Sequence, residues 1–137
     1  MDIDIQYILD NFIEWFILEE AKEQASIELR EPKKRHLFTQ KLKHHWDSVI
    51  DKRFIHSLES AHNTPDAIKK ELHSRGRDLC YVIAQDPLID NKVMEVSYAV
   101  DKVFGRGEGA ILVNLQVDKL FLETDGPRFL GKKGDLR

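Results

Sequence analysis

The chain has 137 residues, a length that fits one domain. Hydrophobic residues make up 42% and charged residues 33%, a balance that excludes a disordered or fibrous chain. The formal net charge of −3 is unevenly spread: residues 1–30 hold eight acids and two bases, whereas residues 31–56 hold three acids and seven bases.

The start, Met1-Asp2-Ile3-Asp4-Ile5, is acidic and lacks both the cationic segment and the cleavage site of a signal peptide. A stretch such as Trp15-Phe16-Ile17-Leu18 is too short to cross a bilayer. Cys80 is the single cysteine, which rules out an intramolecular disulfide and fits a reducing compartment. The expected location is the cytoplasm, with no membrane partner.

A first helix is predicted from about Asp4 to Leu29. Ile5, Ile8, Phe12, Trp15, Leu18, Ala21, Ala25 and Leu29 recur at spacings of three and four and draw one apolar stripe. Leu9, Ile13, Phe16 and Ile17 widen the first half of that stripe, as if it were buried on two sides. Glu31-Pro32 interrupts it, because proline cannot continue a helix yet suits the first position of a new one. A second helix is predicted from about Pro32 to Ser60, with Phe38, Leu42, Trp46, Val49, Ile50, Phe54 and Leu58 as its stripe. The opposite charges of the two helices favour an αα-hairpin over a kink at Pro32.

Thr64 and Pro65 open a third, short helix as N-cap and first residue, and Gly76 is its natural terminator. The apolar tract 79–84 reads as a buried strand, followed by a turn at Asp86-Pro87 and Asp90-Asn91. A helix from about Glu95 to Phe104 ends at Gly105, and the glycine tract 105–109 leads into a hairpin over 110–124 that turns near Val117-Asp118. Residues 126–137 have the composition of a frayed tail, although Phe129-Leu130 could dock or add a strand. The expected fold class is α+β: a long N-terminal helical hairpin and a short helix packed on a small βαββ unit. This makes one domain, with a helical part at 1–76, the βαββ part at 77–125 and the tail at 126–137.

Several constellations have a chemical reading and a plainer one. His44, Asp47 and Asp51 would share one face of a long second helix and could ligate a metal, but a solvated polar face explains them. Cys80 lies in an apolar strand, where cysteine behaves as a small hydrophobe, with Arg75 and Arg77 as the only nearby cations in sequence. The glycine tract follows a helix and precedes a strand, the reverse of a dinucleotide or phosphate loop, and is at most a weak anion nest. Asp86, Asp90 and Glu95 read as turn and capping residues. No catalytic residue, metal ligand or cofactor is assigned.

The function expected first is that of a non-enzymatic protein-binding or regulatory module, acting on a protein partner or by self-association as a homodimer. The wide apolar surface of the first helix carries that expectation, with Ile8, Phe12, Trp15 and Phe16 as its contact residues. A small enzyme using histidine and carboxylate groups, with or without a metal, is one alternative. Nucleic-acid binding through the basic strip Lys33, Lys34, Arg35, Lys41 and Lys43 is another, disfavoured by the overall acidic balance.

Overall fold

The computed structural model describes residues 3–73 and 78–134. Asp4 caps the first helix by accepting the Tyr7 N–H at 3.2 Å, and α1 runs Ile5–Phe16. It stops there, short of the expected Leu29. Ile17 forms a β-bridge with Ile50, Leu18 N–H donates to the Val49 carbonyl at 2.8 Å, and Asp51 N–H donates to the Phe16 carbonyl at 2.8 Å. The apolar stripe continues across this break, so periodicity alone reads one helix where backbone pairing makes two.

The second helix, α2, spans Lys22–Arg30, a single 3-10 turn covers Pro32–Lys34, and α3 spans Arg35–His45. The chain folds back at Pro32, and α2 packs on α3: Arg35 Nη1 donates to the Leu29 carbonyl at 2.7 Å, and Lys41 pairs with Glu28 at 2.7 Å. The expected helix to Ser60 ends at His45 instead. Beyond it come two 3-10 turns, Trp46–Ser48 and Lys52–Phe54, and then strand β1, Ile55–Ser57. Apolar, mostly β-branched pairs at Val49-Ile50 and Phe54-Ile55 suit extended backbone, and Asp51 caps the second turn by accepting Arg53 N–H at 3.1 Å.

Helix α4, Pro65–Leu72, begins as the sequence predicts, with Thr64 Oγ1 accepting the Ala67 N–H at 3.2 Å. The expected stop at Gly76 lies outside the described residues. Strands β2 (Leu79–Ile83) and β3 (Lys92–Glu95), helix α5 (Val96–Val103), and strands β4 (Ala110–Asn114), β5 (Lys119–Glu123) and β6 (Arg128–Lys132) complete the chain. The sheet is antiparallel throughout, with strand order β1-β6-β5-β4-β2-β3.

The α+β class holds, and the βαββ core of β2, α5, β4 and β5 is enlarged by three further strands. The tail is the largest change. Phe129 and Leu130 point to opposite faces of β6, a strand with neighbours on both sides. Alternate residues along the strands feed two cores. Tyr81, Ile83, Ile111, Val113, Leu120, Leu122 and Phe129 meet α1, α2 and α3, whereas Cys80, Val82, Leu112, Phe121 and Leu130 meet α4 and α5. A sheet covered on both faces explains why tract 79–84 is continuously apolar. Gly109 shows how closely α3 approaches: a Cβ there would lie 1.9 Å from the Thr39 carbonyl oxygen.

Candidate functional site

The two helical layers cover unequal shares of the sheet. On the second face, α5 packs mainly on β2, β3 and β4, and α4 on β5. The corner formed by β5, β6 and β1 extends past α4 and leaves a groove of about 540 Å³. Apolar Leu58, Ala67 and Leu130 line it together with His56, His62, Lys70, Lys119, Lys132, Glu59 and Glu71.

Strand pairing sets the most unusual feature of the groove. Lys119 and Lys132 are direct partners across the β5–β6 ladder, in the same register that pairs Phe121 with Leu130. Like charges directly opposite on one sheet face repel, which makes such a pair unfavourable without a counter-charge. Among the described residues, none of Lys70, Lys119 and Lys132 forms an ion pair with Glu59 or Glu71. Elsewhere the chain spends its cations freely: Lys22 on Glu19, Arg30 on Asp10, Lys69 on Asp101 and Arg128 on Glu123.

The turn that delivers Lys119 is built by side chains rather than by turn propensity. Val117 has φ 56°, a left-handed conformation costly for a β-branched residue, and is fully buried. Asn114 Oδ1 accepts the N–H groups of Asp118 at 3.1 Å and Lys119 at 3.2 Å. The Asp118 carbonyl accepts Lys133 N–H at 2.8 Å, which ties the end of β6 to the same turn.

The residues singled out in the sequence lie elsewhere. Ile8, Phe12 and Phe16, expected to face a partner, are 2%, 0% and 0% exposed and form the core between α1 and the sheet. Trp15 is half-buried, edge-on to Phe54 with ring centres 6.3 Å apart, and has the Lys133 ammonium 4.4 Å from its own ring centre. The extra width of the α1 stripe is thus met by the domain itself, by residues 49–55 and the sheet. Tyr7 is the large α1 side chain that stays exposed.

The basic strip is largely consumed inside the fold. Arg35 is buried and bidentate to Asp90, at 2.7 and 2.8 Å; Lys34 pairs with Glu31 and Lys41 with Glu28. Lys33 and Lys43 are left without an ion pair among the described residues. Asp90 also accepts the Ala84 N–H at 3.0 Å, and Asp86 accepts the Leu88 N–H at 2.9 Å, which fits their reading as turn residues.

The other constellations resolve in the same way. With α3 ending at His45, His44, Asp47 and Asp51 share no helix face; His44 meets Asp125 at 2.8 Å and Asp51 meets Arg53 at 2.7 Å. Among the described residues no three His, Cys, Asp or Glu side chains come together as a metal site. Cys80 is buried, and that burial, helped by the Asp78 charge, pushes its thiol up to about 12. Arg75 and Arg77 lie outside the described residues. The glycine tract is indeed a nest, but it holds the protein's own carboxylate: buried Glu123 accepts N–H groups from Gly105 at 3.3 Å and Gly107 at 2.9 Å, and Arg128 Nε at 2.7 Å.

The groove lysines escape a sequence reading because Lys132 sits in the apparent tail and its neighbour is chosen by register. Phe129 and Leu130 stand side by side, so the run 128–132 lacks the apolar–polar alternation that marks a half-buried strand, and nothing local tells which strand it joins. Comparison with protein-family models, with curated proteins and with solved structures finds no match to this chain. Among the described residues no helix is long and apolar enough to cross a membrane.

Proposed function

We propose that the protein is a non-enzymatic binding domain of the cytoplasm that holds an acidic segment of a partner protein in the groove between α4 and the β5–β6–β1 corner. The observation that carries this reading is the Lys119–Lys132 pair, two lysines opposed on one sheet face that form no ion pair among the described residues. Lys70 adds a third cation from the helix wall, and His56 and His62 line the same groove. Leu58 and Leu130 offer apolar contact to the segment between its charges. A complementary basic groove steers an acidic partner and sets its register more than it adds raw affinity. The burial of Ile8, Phe12 and Phe16 moves the expected contact surface away from α1.

The test is an amide chemical-shift titration of the whole protein with a short oligoglutamate peptide, with oligolysine as the control. The reading expects saturable shifts on β1, β5, β6 and α4 that weaken as salt is added. Shifts centred on α1, or none at all, would reject it.

A further inference from the structure

We propose that Lys70, Lys119 and Lys132 form a subsite for a doubly charged oxyanion, so that the acidic segment binds through a phosphorylated side chain. The inference rests on the groove reading above and specifies what its lysines recognise.

Charge matching is the first argument. A single carboxylate would neutralise one of the two opposed lysines and leave the other uncompensated. A phosphate monoester carries about −1.5 to −2 near neutral pH and presents three strong acceptor oxygens. Three ammonium groups, two from adjacent strands and one from α4, match that charge and donor demand. Lysine binds phosphate as a point charge and does not require the planar fork by which arginine holds a carboxylate.

Position is the second argument. The backbone under both sheet lysines is tied down, β5 by the Asn114 side chain and the end of β6 by the Asp118 carbonyl. The two consecutive lysines of α4 are used differently. Lys69 is spent on Asp101 at 2.8 Å, whereas Lys70 lines the groove with no ion pair among the described residues. Glu59 and Glu71 line the same groove, and an anion there is favoured only where it lies nearer the lysines than those carboxylates.

The probes are inorganic phosphate and acetate, each titrated at matched ionic strength into labelled protein at pH 7.5, with amide shifts as the readout. Phosphate is expected to bind about tenfold more tightly than acetate, with shifts on β5, β6 and α4. Lys132→Gln, at an exposed position that does not endanger the fold, is expected to lose that preference, and Lys70→Gln to weaken it. Phosphate no tighter than acetate, or a preference that survives Lys132→Gln, would overturn the subsite. If oligoglutamate still maps to the groove in that event, the binding-domain reading stands and only the phosphate assignment falls. If neither probe nor peptide shifts the groove, both fall.

Discussion

Arg35 and Asp90 meet in a bidentate ion pair, at 2.7 and 2.8 Å, that ties the first turn of α3 to the loop between β2 and β3. Arg35 is 4% exposed, and its Nη1 also donates to the Leu29 carbonyl, so the guanidinium is almost wholly withdrawn from water. Removing one partner of such a pair strands the other charge. Asp90→Ala is therefore expected to destabilise the domain by about 3 kcal/mol in denaturant titration, and the double variant Arg35→Met/Asp90→Ala by less than the sum of the single changes. Additive losses would mean that the two groups act independently.

Glu123 organises the loop that ends α5. Its carboxylate is fully buried and holds Gly105, Gly107 and Arg128 together. Arg128 in turn lies 4.4 Å from the ring centre of Phe104. Glu123→Gln keeps the shape but removes the charge that balances Arg128, and is expected to cost about 2 kcal/mol. Hydrogen exchange at the Gly107 amide should quicken more than at the β4 amides. Unchanged exchange there would show that the loop is held by other means.

Cys80 lies under α4 and α5 with its thiol pushed up to about 12. At pH 8 a thiol reagent should label it only when the domain opens, at a rate that follows global stability rather than thiolate chemistry. The raised value also sets a sign. The folded state resists losing this proton, so the stability it contributes is present below the unfolded thiol value near 9 and is lost as pH rises through the folded value. Rapid stoichiometric labelling of the native protein at pH 8 would contradict the burial.

Asp51 titrates in the opposite sense. Hydrogen bonds from the Arg53 side chain, at 2.7 to 3.2 Å, hold its carboxyl below the ordinary carboxylate value. The stability it contributes is present above the unfolded value of 3.8 and is lost as pH falls through the lower, folded one. Asp51→Asn should flatten the acid limb of the stability profile below about pH 4 and leave the neutral region offset by a constant amount. An acid limb as steep as the parent's would assign that dependence to other carboxylates.

Much of this architecture is legible in local chemistry. Thr64-Pro65 announces α4, Gly105 terminates α5 with φ 79°, and the apolar tract 79–84 declares a doubly covered strand. Pro32 and the opposite charges around it foretell the α2–α3 hairpin and its Glu28–Lys41 pair. What escapes is decided by partners remote in sequence. Ile17 leaves the helical path because Ile50 offers backbone pairing, and Ile55–Ser57 becomes a strand because β6 lies beside it. The width of the α1 stripe is real, but its second partner is this chain's own residues 49–55. The groove is the extreme case, since its lysines are ordinary surface residues until the β5–β6 register sets them side by side.

On the binding reading, the Lys119–Lys132 pair is kept for its partner at a cost in stability, and Lys119→Glu separates the two effects. Reversing one charge turns a cross-strand repulsion into an attraction, a change of about 1 kcal/mol. The predicted result is a thermal midpoint raised by about 3 °C together with loss of oligoglutamate binding. A variant that is no more stable than the parent and binds the peptide as well would contradict the account.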